Sequence, residues 1–391
     1  MRAIFVHDNF FFQEFGTENY YDSNGGFPPY VWDRYLNHFN EVHVISRGKI
    51  IDHISEGLLL TSKPGVHFHL IYNLKSSLDY IFKARHILKE FKMTYQSGDV
   101  VIIRLPSFLG GICASHLQKN KIRYYTEVVG CVSDALWNYG SIISKMITPY
   151  YYHRMKRNVR ESSASIYVTK HFLQYRYPNN SIINHHASNV EIPYFEGDLF
   201  EKRNYSLSRS FKVGLIANLD VKYKGFDVLF KAVAELPLEI DTQIYLVGGG
   251  GTDYVRRLAK RFEVSDRLNI IGVLSSGEKI FSFLDYLDIY VHPSKQEGLP
   301  RAVIEAMHRA CPVLASSVGG TPELLSEEFL HRPGDYKMLK SQILRVYESE
   351  NLRKLMGRRN YEMAQDYLNL RLEDQRSIFW TKVKEIHLEY N

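Results

Sequence analysis

The chain is 391 residues long, more than one ordinary hydrophobic core holds, and suits two domains of about 190 residues each. With 45% hydrophobic and 24% charged residues it has the composition of an ordinary globular protein, which excludes a disordered, collagenous or membrane-spanning chain. The formal net charge of +6 suits an acidic small substrate or an anionic lipid surface and is too small to argue for nucleic acid.

Arg2 to His7 is a short apolar run closed by Asp8 and Asn9, and predicts a buried first strand. This opening lacks the basic start, long apolar core and small-residue cleavage site of a signal peptide, and no stretch approaches the ~20 apolar residues needed to span a bilayer. An aromatic and polar loop follows as far as Tyr30, then a helix over 31–39 and a second strand over 41–46. Strand, glycine-bearing loop and helix open a doubly wound α/β domain, where ligands sit at the carboxyl ends of the strands. Gly25 and Gly26 in that loop either let the backbone approach a phosphate or an acceptor, or merely shape the turn before Pro28-Pro29.

Helical periodicity covers 77–91, and Asp99 to Leu105 is a strong buried strand. Gly110-Gly111 leads into a helix over 112–119, and Arg123 to Val129 is the next strand, carrying a single carboxylate, Glu127. Ser144 to Ser162 is basic: on a helix Tyr152, Met155 and Val159 share one face, while His153, Lys156, Arg157 and Arg160 share another. Such a helix over 145–160 suits peripheral contact with an anionic membrane, the alternative being a core-facing helix with a solvated basic side. The cysteines, 113, 131 and 311, are far apart, so neither a zinc site nor a disulfide framework is indicated and a reducing cytoplasm is expected.

Residues 188–210 mix proline and charge with few apolar runs and read as a linker. Phe211 to Ala217 restarts the strand–loop–helix pattern, its loop carrying Asn218, Lys222, Lys224 and Gly225. The strand Gln243 to Val247 runs into four glycines, 248–251, too late in its domain for a dinucleotide fingerprint. Leu268 to Val273 is a further strand, ending in Gly272 and Val273.

The most informative stretch is VHPSKQEGLPRAVIEAMHRACPVLASSVGGTPELL, residues 291–325. It predicts a strand end, a loop holding Glu297 and Gly298, a helix opened by Pro300, a buried strand over 312–316 and a glycine turn into another helix. A helix N-terminus favours phosphate. If Pro300 opens the helix, Glu305 lies about 8 Å along its axis from that end. One carboxylate then reaches a sugar on the near side of a diphosphate and the other a ribose on the far side.

The pattern Glu297-Gly298-Leu299-Pro300, Glu305-Ala306-Met307, Pro312-Val313 and Gly319-Gly320-Thr321-Pro322-Glu323 resembles the donor-site signature of the retaining GT-B glycosyltransferases of family 4, which build bacterial surface polysaccharides. That resemblance implies two Rossmann-like doubly wound domains facing across a cleft. The acceptor domain would span 1–187 and the nucleotide-sugar domain 211–366, with 367–391 crossing back to the first domain. It further implies transfer of a hexosyl unit from a UDP- or GDP-sugar to a saccharide or polyprenyl-linked acceptor, in O-antigen or capsule synthesis, at the cytoplasmic face of the plasma membrane.

In this reading Lys224 pairs with the donor diphosphate, Glu297 holds the sugar hydroxyls, Glu305 the ribose, and Gly298 and Leu299 offer N–H groups to phosphate. Gly248 and Gly249 line the base pocket with Gly272 and Val273. Asn218 stands where many relatives place an arginine. Glu127 stands in the strand after which the family commonly keeps a histidine or an acid near the reacting carbon, and is a candidate to contact the transferred sugar or to orient the acceptor; an inward carboxylate bonded to a neighbouring loop is the other reading. No D-x-D pair accompanies the donor motif, so neither a metal nor another cofactor is expected. The rival functions are a nucleotide-sugar epimerase on the same fold and a non-catalytic binding subunit.

Overall fold

The all-apolar runs Ala3–Val6 and Val100–Ile103 can bury both faces only inside a parallel sheet covered by helices, and they lie side by side in one. In the computed structural model the described residues are all except 24, 25, 56, 73, 75, 76, 139–141, 208, 390 and 391. The first sheet is built from β1 (Arg2–Glu14), β2 (Tyr20–Asp22), β3 (Glu41–Ile51), β4 (Leu59–Leu60), β5 (Val66–Tyr72), β6 (Val100–Leu105), β7 (Tyr125–Val128), β8 (Ser165–Tyr167) and β9 (Asn184–His186). Its parallel strands run β5-β3-β1-β6-β7-β8-β9, with β2 antiparallel on the far half of β1 and β4 antiparallel on β2.

The second sheet comprises β10 (Phe211–Ile216), β11 (Thr242–Val247), β12 (Leu268–Gly272), β13 (Ile289–His292), β14 (Val313–Ser316) and β15 (Leu330–His331), in the order β12-β11-β10-β13-β14-β15. Both are doubly wound sheets whose order reverses beside the first strand, so each has a crevice at the carboxyl ends there, between β1 and β6 and between β10 and β13.

The chain crosses between the domains twice, and the crossings run together. Ile192 N–H donates to Asn369 Oδ1 at 2.8 Å, and Asn369 N–H to Ile192 O at 3.0 Å. Beyond this pair the helix Asn369–Leu388 packs on the first domain, with Trp380 against Tyr35 and Phe39, and Arg123 donating to Ile386 O at 2.6 Å.

Three local expectations change. The first strand does not stop at His7 but runs to Glu14, because Phe11 is buried and the 10–14 segment pairs with β2 on one side and β3 on the other. Much of the expected loop before Tyr30 is therefore sheet. The helix expected from residue 112 begins at Phe108, where the Ser107 hydroxyl accepts from Gly110 N at 2.7 Å. The predicted apolar face Tyr152, Met155, Val159 of helix Ile142–Arg160 points inward, with Met155 and Val159 buried; the exposed apolar residues are Ile142, Ile143, Met146 and Tyr150 in its first half. Among the described residues no helix is long and apolar enough to cross a membrane.

Candidate active site in the interdomain cleft

The crevice between β10 and β13 brings together two loops far apart in sequence. After β10 the chain makes the turn Lys222–Lys224, and after β13 it runs through Pro293 to Pro300 into helix Arg301–His308. Lys295 N–H donates to Tyr223 O at 2.7 Å, and the Ser316 hydroxyl holds Ser294 O. Gly225, at φ 79°, lets the turn lie against the second loop: a Cβ there would stand 2.0 Å from Pro293 O.

Held this way, Lys224 Nζ is 2.7 Å from Glu297 Oε1. The same oxygen lies 2.8 Å from His292 Nε2, whose Nδ1 is 3.2 Å from the Tyr290 hydroxyl. With Nε2 donating to the carboxylate, Nδ1 is left to accept from the phenol. Burial opposes a charge on Glu297, but Lys224 and His292 outweigh it and hold its carboxyl well below the usual carboxylate range.

Glu305 lies on helix Arg301–His308 in the opposite electrostatic state. Burial raises its carboxyl above the ordinary value, countered only by Arg301, and it has no hydrogen-bond partner among the described residues. It is half-buried, and its oxygens are free to accept hydrogen bonds. Pro300 caps the helix rather than opening it: its backbone is extended and its carbonyl accepts from Val303 N at 3.2 Å. No side chain caps this end.

The remaining donor-side positions form a rim along the carboxyl ends of β10, β11 and β12. Gly248 N–H donates to Gly272 O and Leu219 N–H to Gly249 O, both at 2.8 Å, and Val273 is exposed beside them. Asn218 Oδ1 accepts from Asp220 N at 3.0 Å, shaping its own turn, and Lys222 Nζ lies 5.9 Å over the Tyr254 ring. Lys224 is thus the lysine of this loop that sits at Glu297.

The opposite wall comes from the first domain. Gly298 approaches it so closely that a Cβ would stand 2.4 Å from Val129 O. A cavity of about 230 Å³ opens beside this contact, lined by Gly26, Phe27, Arg34 and Arg104 from one domain and by Leu299 and Arg301 from the other. Ligand pockets run from about 300 Å³, so this cavity is smaller than an ordinary whole ligand site. Gly26 N–H donates to Asp22 Oδ2 at 2.7 Å, which fixes the cavity lip; Gly25 lies outside the described residues.

Glu127 does not line that cavity. Its oxygens accept from the Tyr35 hydroxyl at 2.6 Å and from Arg104 Nη1 at 2.8 Å, the inward-carboxylate geometry, and Arg104 is the group that faces the cleft.

Sequence reasoning missed His292, Arg104 and Arg301. Each carried a faint signal: a charged or titratable residue at the carboxyl end of an apolar strand, or the residue next to the motif proline. It also missed what Glu323 does. Its carboxylate accepts from Lys170 N at 2.6 Å, His171 N at 3.1 Å and Phe172 N at 2.6 Å, so a second-domain acid caps the first-domain helix Phe172–Arg176.

Known proteins share this organisation. The family model for glycosyl transferases group 1 matches residues 201–363. Protein CapJ of Staphylococcus aureus is 33% identical over 360 residues, 90% of this chain and 89% of that protein. Among solved structures, a sucrose-phosphate synthase from Thermosynechococcus elongatus superposes with TM-score 0.70 at 15% identity, over 99% of this chain and all of that one. HepE from Anabaena in complex with UDP-glucose gives 0.64 at 16% identity, over 98% of this chain and all of that one, and both likenesses give the GT-B fold. On the likeness to CapJ over 90% of this chain and the family match over residues 201–363, this chain belongs to the group 1 glycosyltransferases.

Proposed function

We propose that the protein transfers a hexosyl unit, with retention at the anomeric carbon, from a UDP- or GDP-sugar to a saccharide or lipid-linked saccharide during synthesis of a capsular or related surface polysaccharide. The observation that carries this reading is the pairing of Lys224, Glu297 and His292 in the crevice with a partnerless Glu305 on the adjoining helix. The Staphylococcus aureus relative described as the capsular polysaccharide biosynthesis glycosyltransferase CapM, 23% identical over 195 residues, supports the pathway. The UDP-glucose held by HepE supports the donor class.

Lys224 and the uncapped helix end meet the diphosphate, stabilising the charge that develops on it as the anomeric carbon–oxygen bond breaks. Glu297, kept ionised, accepts from the donor sugar's hydroxyls, and Glu305 from the ribose. The acceptor hydroxyl attacks from the same face, its proton passing to the departing phosphate oxygen while its oxygen bonds to the anomeric carbon. The charge is met by Lys224 and backbone dipoles, so the reaction proceeds without a metal.

The test is nucleotide-diphosphate release from UDP- and GDP-sugars with EDTA present, with and without envelope lipid extract. Release that rises with the extract is expected; a binding subunit gives none, and a sugar altered without acceptor marks an epimerase. Glu305→Ala is expected to weaken nucleotide binding by about 1.5–3 kcal/mol, the worth of hydrogen bonds to a charged group, and equal affinities by calorimetry would remove Glu305 from the ribose. The folded protein also holds the Glu305 proton more tightly than the unfolded chain, so the stability this group contributes is full below the ordinary carboxyl value and lost as pH rises through the raised one. Glu305→Gln should abolish that part of the pH dependence in denaturant melts.

The place of action we propose is the inner face of the plasma membrane. Ile142, Ile143, Met146 and Tyr150 stand exposed beside Lys145, whose ammonium lies over the exposed Trp137 ring. Co-sedimentation with vesicles containing anionic lipid should fall in an Ile143→Ser, Met146→Ser variant; unchanged co-sedimentation would remove this helix from the contact.

A further inference from the structure

At the end of the first sheet remote from the cleft, two strands each present a pair of metal-ligand side chains two residues apart. Glu41 and His43 lie on β3, and His67 and His69 on β5. Strand geometry puts residues i and i+2 on one face, and the parallel register sets His43 directly beside His67. Their rings stack with centroids 4.9 Å apart, and the His43 and His69 rings lie 5.3 Å apart. The result is three imidazoles and a carboxylate on one patch of sheet.

The donor atoms converge as well. One ligand atom from each of Glu41, His43 and His67 lies within 4.8 Å of the others. His43 Nε2 stands 3.2 Å from Glu41 Oε2. Two donors about 2.1 Å from a tetrahedral zinc stand about 3.4 Å apart, so this pair already has the separation an ion between them requires. His43 Nδ1 is 3.0 Å from His69 Nε2. If Nδ1 carries the proton and donates to His69, the Nε2 lone pair of His43 is left facing Glu41. This is the outer support that metal-binding histidines use to set their tautomer. Arg2, the cross-strand neighbour of Glu41, lies 3.3 Å from Asp99 and donates to Thr94 O at 3.0 Å, and its charge is felt at Glu41 and His43, a repulsion a bound cation has to outweigh.

We propose that Glu41, His43 and His67 form a binding site for a divalent transition-metal ion of the zinc class, with His69 as the positioning residue that orients His43. Imidazole nitrogens with one carboxylate select zinc-like ions over magnesium or calcium, which take oxygen ligands. His67 is exposed and Glu41 half-exposed, so an ion enters without the fold opening. Among the described residues β5 pairs with β3 alone, and the ion bridges these two strands, fastening the sheet's edge strand to its neighbour. Glu41 opens β3, whereas the nucleotide-sugar crevice lies at the carboxyl ends of the strands, so the site is structural and separate from transfer.

The experiment uses the untagged full chain, stripped with chelator and titrated with Zn²⁺ by calorimetry and thermal unfolding, with Co²⁺ as a spectroscopic probe. One equivalent of zinc should bind and raise the melting temperature, and Co²⁺ should show the intense visible bands of a tetrahedral site. His67→Ala, at an exposed position that leaves the fold intact, should weaken zinc binding at least about tenfold and abolish those bands. Glu41→Gln should weaken binding similarly, while His153→Ala, exposed on the helix Ile142–Arg160 away from these strands, should match the wild type. Saturation absent at one equivalent, or wild-type affinity in His67→Ala and Glu41→Gln, would overturn the proposal. In that case the four side chains form only a hydrogen-bonded surface cluster.

Discussion

Replacing Lys224 by methionine is expected to lower turnover by about 10²–10³-fold, the size of effect seen when one preorganised donor to a developing negative charge is removed. The physical reason is double. Lys224 is the lysine of the first crevice loop that reaches the second, 2.7 Å from Glu297, and no arginine stands at position 218 to share the diphosphate. Without it, the Glu297 carboxylate keeps His292 alone as its partner on that oxygen and loses the largest influence holding it ionised against burial. Part of the loss therefore comes from Glu297, and Lys224→Met combined with Glu297→Gln should cost less than the two changes summed. Steady-state kinetics showing unchanged turnover in Lys224→Met would remove this lysine from the mechanism.

The largest loss of stability is expected from Arg104→Met. Arg104 and Glu127 form a buried ion pair, with side chains 12% and 11% exposed. Removing one partner of such a pair costs about 3–5 kcal/mol, because the other charge stays buried without its counter-ion. The Tyr35 hydroxyl would be left as the donor to Glu127. Arg104→Met with Glu127→Leu should recover most of that loss in urea unfolding, since both charges then leave the interior. Arg104 also forms part of the cleft wall, so the double variant should fold yet bind acceptor less well. Glu127→Gln separates the two readings of Glu127. A positioning residue lowers stability with little effect on turnover, whereas a full loss of turnover at unchanged stability would place Glu127 on the substrate.

The arrangement of Glu297 and Glu305 was legible because it is local in sequence. Glu297, Gly298, Pro300 and Glu305 sit on one loop and the helix it enters, so helix rise alone places Glu305 along the axis from Pro300. The first-domain wall of the cleft was less legible. Its cavity draws Arg34, Arg104 and Gly26 from three elements and Arg301 from the other domain, and no local pattern announces such a meeting. The basic helix was left with two readings for a related reason. Periodicity identifies an apolar face but not what covers it, and the face with Met155 and Val159 is the one the core takes. The first strand was cut short because alternation alone cannot reveal that β2 and β3 pair with both sides of residues 10–14.

From residues alone came the class of fold, the two-domain division and the acidic pair flanking a helix end, since each follows from hydrophobic period, turn chemistry and short-range spacing. The folded chain decided the electrostatic state of that pair. Glu297 is held ionised because a doubly wound sheet brings the loops after its first and fourth strands together, setting Lys224 beside it, while Glu305 is left without a counter-ion contact. A carboxyl group's charge depends on what surrounds it in space, and that neighbourhood exists only once the two loops have met.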